Sequence, residues 1–287
     1  MTTCSSIATR IAVPSPGGVM LHTVKWGPSE PRCFLIHGFG EGHFVWNGVI
    51  SHLSRHASAV GIDLRGHGDS DWDPTATYSL SDHVSDSYAA LRFFCKDPAI
   101  VIGHSLGAVI GMHLAARYPE SVLASILVDG GPSFDPDSIK YLRREFAHQQ
   151  WWYRTQEHYI SRLQEKFPLV GPDLLKSLAH FGLRSEPSGG YRLKCDKALA
   201  QSADHTNEDD SWSLFRSIMS PILVVRGRGS AVLPAAAAAR MCTENAFCSV
   251  ETVSSAGHSV MLDNPEGFLR AIDAYLVAWL TRAGRCW

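Results

Sequence analysis

Short apolar runs alternate with helical patterns along most of this chain. Two segments of alternating character, 6–13 and 18–26, flank the turn sequence PSPGG and predict a pair of antiparallel strands. Six later runs rich in β-branched residues predict strands buried on both faces, at 33–38, 58–63, 99–104, 124–129, 221–227 and 247–253. Helical patterns separate or follow most of these runs, at about 43–56, 80–94, 105–118, 235–243 and 264–283. This alternation predicts an α/β fold with a mostly parallel sheet and helices on both faces.

One long segment interrupts the alternation. About ninety residues separate Asp129 from Pro221, and they are rich in tryptophan, tyrosine and charged residues without a pattern typical of a buried strand. Such a length is too great for an ordinary connection within a domain. We therefore expect a helical cap insertion at 133–216 that covers one end of the sheet. The core domain would then consist of residues 1–132 and 217–287.

Composition narrows the function classes. The 287 residues carry 26 Lys plus Arg against 28 Asp plus Glu, and no basic cluster of the kind that binds nucleic acid. The seven cysteines are scattered without the CxxC pairs of a zinc or redox site. We predict no metal site and no cofactor. Neither an apolar stretch of about 18 residues nor a secretory leader is present, which favours a cytoplasmic protein with no membrane partner. A monomer and a homodimer are both compatible with the sequence.

The sequence Gly103-His104-Ser105-Leu106-Gly107 stands between a predicted strand and a predicted helix. Its glycines permit close backbone approach, so that the serine can adopt a strained conformation at the carboxyl edge of the sheet. The amino end of the following helix favours developing negative charge at the same place. Capping of the helix is the alternative role for this hydroxyl. The strand before it and the helix after it favour a nucleophile.

A serine nucleophile requires a base and an orienting carboxylate. His258 follows the last predicted strand and precedes the final helix, so we expect it at the same sheet edge as Ser105. Asp129 ends an earlier strand beside two glycines and is our candidate for the acid, although it could simply cap a turn. Asp63 is the next candidate. It is more readily explained by bonds within its own loop, to Arg65 or to nearby backbone amides.

The backbone amides of Phe39 and Leu106 are expected to form the oxyanion hole, since both follow strand ends near the candidate nucleophile. The sequence HGFGEG lacks the lysine of a phosphate-binding loop. Aromatic residues of the cap and nearby loops predict a mostly apolar pocket, although such residues also form the cores of caps. The residues assigned to substrate binding are Phe39, Phe44, Trp46, His104, Phe134, Trp151, Trp152 and Val260.

The motifs HGFGEG, DLRGHGDS, GHSLG, LVDGG and AGHSVMLDNPEGF, in this order, resemble the α/β-hydrolase family along nearly the whole chain. The resemblance implies an eight-stranded, mostly parallel sheet, a cap inserted after Asp129, and nucleophile, acid and base in that chain order. Many members carry the acid after the strand that corresponds to 221–226. Here Gly229, Ser230 and Ala231 occupy that turn, whereas the earlier position used by some branches matches Asp129.

The resemblance also limits the chemistry. Relatives similar to haloalkane dehalogenases and epoxide hydrolases have an aspartate where this chain has Ser105. We therefore expect a serine hydrolase that cleaves a carboxylic ester, lactone or thioester of a medium-sized hydrophobic acyl compound through an acyl-enzyme. One alternative is a carbon-carbon bond hydrolase of ring-fission products, whose members usually carry the acid in the later turn. The other is a small-molecule receptor that keeps a slow hydrolase triad.

Overall fold

A computed structural model of the chain describes residues 8–201 and 208–283. The strands are β1 (Ala8–Pro14), β2 (Met20–Trp26), β3 (Cys33–Ile36), β4 (Ala59–Ile62), β5 (Ala99–His104), β6 (Val122–Val128), β7 (Trp152–Tyr153), β8 (Leu183–Ser185), β9 (Tyr191–Leu193), β10 (Ile222–Gly227) and β11 (Cys248–Val253). The α-helices are α1 (Ile50–His56), α2 (Leu80–Phe94), α3 (Leu106–Arg117), α4 (Pro136–His148), α5 (Gln156–Lys166), α6 (Pro172–Gly182), α7 (Glu208–Arg216), α8 (Ala235–Glu244), α9 (Val260–Asp263) and α10 (Pro265–Ala283). Short 3-10 helices lie at His43–Trp46, Pro119–Ser121 and Lys197–Gln201.

Eight strands form one sheet in the order β1-β2-β4-β3-β5-β6-β10-β11. The pairs β1-β2 and β2-β4 are antiparallel, and all the other pairs are parallel. Every residue of β3, β4, β5 and β10 is buried, as their apolar sequences predicted. The α/β fold with a mostly parallel eight-stranded sheet is thus confirmed.

Two apolar clusters cover the two faces of the sheet. Phe34 and Ile36 of β3 belong to the cluster that includes residues of α2, α3 and α8. Leu35, between them, belongs to the opposite cluster, which includes residues of α1 and α10. This alternation follows from the period of two in a strand. It places helices on both faces and leaves the carboxyl edge of the parallel strands for the loops of the candidate site.

The insertion between β6 and β10 contains strands as well as helices. The short strands β7, β9 and β8 form a separate antiparallel sheet in that order. Strands of two or three residues are too short to carry an alternating pattern, which is why the sequence predicted helices alone. At the end of the predicted cap segment, Trp212 and Phe215 of α7 are buried in the core cluster that contains α3. No helix in the described ranges is sufficiently long and apolar to cross a bilayer.

Candidate active site

Ser105 stands at the sharp turn between β5 and α3, with φ 53° and ψ −112°. This backbone conformation is one that glycine adopts readily and that other residues hold only under strain. Among the described residues, the Ser105 side chain makes no hydrogen bond that caps α3, so helix capping does not account for the hydroxyl. A β-carbon added to Gly103 would lie 2.0 Å from the carbonyl oxygen of Gly107. The flanking glycines therefore allow the strand and helix to meet at this turn.

Asp129 and His258 are in direct contact. Nδ1 of His258 lies 2.8 Å from Oδ2 of Asp129, a fully buried residue with φ 47° that follows β6. The carboxylate also accepts hydrogen bonds from the Gly227 amide (3.1 Å) and from the Ser230 hydroxyl. Because an ionised carboxylate only accepts, Nδ1 of His258 carries the proton and Nε2 keeps its lone pair. Such an imidazole can take a proton from an alcohol.

The strand ends bring Ser105 to the same edge of the sheet. Its amide donates to the carbonyl of Val128, the residue before Asp129, at 2.9 Å. A β-carbon added to Gly130 would lie 2.8 Å from the carbonyl oxygen of Ser105. The ring of His258 lies 4.8 Å, between centroids, from the ring of His104, which directly precedes Ser105. The three predicted catalytic positions therefore lie in one neighbourhood.

Asp63 lies in a different group of side chains. It accepts hydrogen bonds from Nδ1 of His22 (2.9 Å), from Nδ1 of His43 (3.0 Å), and from the amides of His43 (2.6 Å) and Asp69 (3.0 Å). Burial opposes ionisation, but His43 and these hydrogen bonds hold the pKa of Asp63 well below its ordinary value. Arg65 pairs instead with Asp86 at 2.7 Å. Asp63 thus holds its own loop, through amides as expected and through two histidines.

His104 and Glu41 form a second hydrogen-bonded pair at the site, which the sequence analysis did not predict. Nδ1 of His104 lies 2.9 Å from the Glu41 carboxylate, and Nε2 lies 3.1 Å from the carbonyl oxygen of His258. Both partners are acceptors, so His104 donates from both nitrogens and is an imidazolium. Burial disfavours this charge, but Glu41 raises the pKa of His104 above its ordinary value. In return His104, against the effect of burial, lowers the pKa of Glu41 to about 2.

The glycine-rich loop after β3 is fixed next to Ser105. A β-carbon added to Gly38 would lie 3.2 Å from Cβ of Ser105. Nε2 of His37 accepts from the Leu64 amide at 2.9 Å, so its Nδ1 carries the proton and donates to the Gly38 carbonyl at 2.7 Å. The peptide between Gly38 and Phe39 is trans, so the Phe39 N–H points in the direction opposite to the Gly38 carbonyl. Because that carbonyl faces His37, the Phe39 amide is directed away from His37.

Phe39 and Leu106 offer backbone donors at this place. Among the hydrogen bonds of residues 8–201 and 208–283, none uses the amide of Phe39 or that of Leu106. Leu106 is the first residue of α3, where amides lack partners within the helix. Two amides with free donors beside Ser105 are suited to hold an oxyanion.

Two of the residues assigned to the pocket, Phe39 and Trp151, pack on either side of Phe146. The ring of Phe39 lies 4.6 Å from that of Phe146 of α4, which in turn lies 5.2 Å from the ring of Trp151. Phe39, Trp151 and Phe134 are all partly exposed. Phe44 is buried, and its ring packs close to Gly42.

Four other assigned residues are in contact with other parts of the protein. Trp46 is fully buried against Phe268 in the core, and Val260 is fully buried in the same cluster. His104 is buried and both its ring nitrogens are engaged by protein groups. Trp152 is 44% exposed, on β7, with its indole N–H directed to the cap residue Gly189. The assignment of these four residues to substrate binding therefore stays a prediction.

Two groups among the described residues have the ligand atoms to hold a metal ion: His22, His43 and Asp63, and His52, His56 and Asp273. Neither group includes Ser105, Asp129 or His258. The triad geometry needs no metal to activate the serine, because His258 is oriented by a carboxylate.

Several proteins that are similar to this chain are hydrolases. The 2-(acetamidomethylene)succinate hydrolase of Mesorhizobium japonicum is 28% identical over 262 residues, which cover 91% of this chain and 93% of that protein. An esterase of Mycobacterium tuberculosis is 26% identical over 264 residues, covering 89% and 86%. The crystal structure of E-2-(acetamidomethylene)succinate hydrolase superimposes with a TM-score of 0.85 at 26% identity, covering 94% of this chain and 100% of that one.

These matches support an enzyme that catalyses hydrolysis. A family model described as the alpha/beta hydrolase family matches residues 33–271, a range that includes Ser105, Asp129 and His258. The match confirms the resemblance drawn from the motifs. This chain belongs to the alpha/beta hydrolase family.

Proposed function

We propose that this chain is a serine hydrolase that cleaves a carboxylic ester, lactone or thioester of a medium-sized hydrophobic acyl compound. The observation that carries the proposal is the bond from His258 to Asp129 at the sheet edge where Ser105 is held at positive φ. A strained serine, an imidazole with a free Nε2 and a buried carboxylate together form the parts of a nucleophilic triad.

In the first half-reaction, His258 Nε2 takes the proton from Ser105, whose oxygen bonds to the acyl carbon. The amides of Phe39 and Leu106 hold the oxyanion that forms, and Asp129 stabilises the imidazolium. His258 then gives its proton to the leaving alcohol or thiol as the bond to the acyl carbon breaks. Water repeats the sequence on the acyl-enzyme, releasing the carboxylic acid and restoring Ser105.

The apolar surroundings support a hydrophobic acyl group. The partly exposed rings of Phe39 and Trp151 flank Phe146, close to the loop that carries the Phe39 amide. Apolar walls with few polar anchors are typical of pockets for small organic ligands. The M. tuberculosis relative named as an esterase supports the ester as the scissile group.

A second candidate is hydrolysis of an acyl bond to nitrogen or carbon by the same triad. The relative named 2-(acetamidomethylene)succinate hydrolase favours it, since that name contains an acetamido group. Carbon-carbon hydrolysis is less favoured, because the acid precedes the cap and Ser230 occupies the later turn. The triad would also be present in a receptor that turns over slowly.

The test is a screen of the purified protein against esters, lactones, thioesters, N-acyl compounds and a ring-fission diketone, each with graded chain length. Rapid multiple turnover of hydrophobic esters is expected, and Ser105→Ala should lower it by about 10⁴-fold or more. Ser51→Ala, which changes an exposed serine on α1, is the matched control and should keep the wild-type rate. A Ser105→Ala variant that keeps its turnover would refute the proposal. A burst without steady turnover would favour the receptor.

A further inference from the structure

Three side chains from α1 and α10 converge on the surface. Nε2 of His52 lies 2.8 Å from Oδ1 of Asp273, and Nε2 of His56 lies 3.0 Å from the same oxygen. The two Nε2 atoms are 3.4 Å apart. The histidines are four positions apart on α1 and therefore lie on one face of it. Two imidazole nitrogens thus share a single carboxylate oxygen.

Packing beneath these side chains fixes their backbones. Ile50 and Leu53 of α1 belong to the same buried cluster as Ile272 and Leu276 of α10. Asp273 directly follows Ile272, and His52 directly precedes Leu53. The two helices therefore present the three polar groups at a set spacing, which lowers the cost of organising a ligand set.

The cluster is open to solvent and lies away from the candidate active site. The side chains of His52, His56 and Asp273 are 23%, 25% and 45% exposed. Because β3 and β4 are parallel, α1 runs from the carboxyl end of β3 back to the start of β4. His56, at the end of α1, therefore lies toward the sheet edge opposite Ser105.

We propose that His52, His56 and Asp273 form a binding site for a divalent transition-metal ion of the Zn²⁺ class. Two nitrogens each about 2.1 Å from a tetrahedral Zn²⁺ lie about 3.4 Å apart. The two Nε2 atoms have that separation, and the carboxylate oxygen supplies a third ligand. Imidazole ligands select Zn²⁺, Ni²⁺ or Cu²⁺ over Mg²⁺ and Ca²⁺, which prefer oxygen. Exposure leaves room for water as the fourth ligand.

The hydrogen bond from Arg55 to His52 disfavours binding of the ion. The Arg55 guanidinium donates to Nδ1 of His52, so in the ion-free protein the proton of His52 is on Nε2. Nε2 of His56 likewise donates to Asp273. Coordination through Nε2 therefore requires the other tautomer of both histidines, in which each Nε2 releases its proton to solvent and each Nδ1 gains one. The net number of protons is unchanged, but Arg55 must turn away from the ring. Removal of this guanidinium should therefore strengthen binding.

The test is a calorimetric titration of the full chain, freed of metal with a chelator, with ZnCl₂. One ion per chain is expected, and saturation should raise Tm by about 3 °C because only the folded state presents the site. His56→Ala and Asp273→Asn should each weaken binding by more than about tenfold. Arg55→Met should bind more tightly than the wild type. His148→Ala, which removes an exposed histidine of α4, is the control and should bind as the wild type does.

Two results would overturn the proposal. One is the absence of a binding heat for the wild type at millimolar ZnCl₂. The other is equal affinity in the wild type and His56→Ala, which would place the ion elsewhere, for instance at the buried group of His22, His43 and Asp63. Ester hydrolysis by His56→Ala should stay at the wild-type rate, so the outcome is independent of the triad.

Discussion

The Glu41 carboxylate accepts a hydrogen bond from Nδ1 of His104 at 2.9 Å, and this pair joins the loop after β3 to the end of β5. Glu41 also accepts from the Gly38 amide at 2.8 Å, next to the amide of Phe39. His104 donates its other proton to the carbonyl of His258. Through His104, this ion pair connects the loop that carries the Phe39 amide with the loop of the base.

The pair should make stability depend on pH within a defined window. The pKa of Glu41 falls from 4.5 to about 2. Its contribution to the free energy of unfolding is therefore complete above pH 4.5 and is lost as pH falls toward 2. The pKa of His104 rises above 6.5, so its contribution is complete below pH 6.5 and is lost as pH rises through the raised value. At about 1.4 kcal/mol per pKa unit, the Glu41 shift corresponds to on the order of 3 kcal/mol.

We therefore expect wild type and Glu41→Gln to differ most in free energy of unfolding between pH 4.5 and 6.5. Urea unfolding of both proteins across a pH series measures this difference. A difference that stays constant through the acidic and alkaline ranges would contradict the ion pair.

His104 should affect turnover without contacting substrate. In His104→Gln the two loops lose their common support, so kcat should fall by about tenfold while KM changes little. Steady-state kinetics on the best ester from the screen gives both constants. His113→Gln is the control, because His113 is buried on α3 and, within the described residues, its ring nitrogens make no hydrogen bond to either loop. A change confined to KM would instead place His104 in contact with substrate.

Substitution of each aspartate should show whether Asp129 or Asp63 is the catalytic acid. Asp129→Asn leaves the carboxamide to support the wrong tautomer of His258, so kcat should fall by about 10⁴-fold with the fold intact. Asp63→Asn should lower Tm, because Asp63 accepts four hydrogen bonds in its own loop, and turnover per folded molecule should stay near wild type. Thermal unfolding and kcat of both variants decide the matter. The reverse pattern would assign the acid to Asp63.

Position 230 should be able to take over from Asp129. The Ser230 hydroxyl already donates to the Asp129 oxygen that binds His258. Adding Ser230→Asp to Asp129→Asn should therefore restore kcat by at least about tenfold, since a carboxylate again supports Nδ1. The double variant Asp129→Asn with Ser230→Asn controls for side-chain size. Equal rates in the two double variants would argue against this exchange.

Backbone strain at the nucleophile should be measurable as lost stability. Ser105→Ala and Ser105→Gly both remove the hydroxyl, but only glycine relaxes at φ 53° and ψ −112°. Ser105→Gly should therefore be more stable than Ser105→Ala by about 1 kcal/mol. The urea midpoints of the two variants provide the comparison, and an alanine variant that is the more stable of the two would exclude strain at this turn.

Long apolar runs made most of the core predictable. The pattern at 99–104 predicted β5 with the bounds observed, because a strand buried on both faces needs an unbroken apolar sequence. The proximity of Asp129 to His258 also followed from sequence, since parallel strands deliver their ends to one edge.

Contacts between segments that are distant along the chain are not indicated by any pattern in the sequence. Glu41 and His104 are separated by 63 positions, and nothing in either segment indicates that they pair. Trp46 and Val260 were assigned to the pocket because they adjoin functional loops, but burial depends on how Phe268 and its neighbours pack. The strands of the cap were missed because each has only two or three residues.

The bond between Ser230 and Asp129 has an evolutionary consequence. Ser230, which follows β10, donates to the same Asp129 oxygen that binds Nδ1 of His258, so a lineage could carry a carboxylate at both positions and later lose either one. The imidazole would have a supporting group at every stage of that history. A catalytic acid could in this way migrate from one strand to its neighbour without passing through an inactive ancestor.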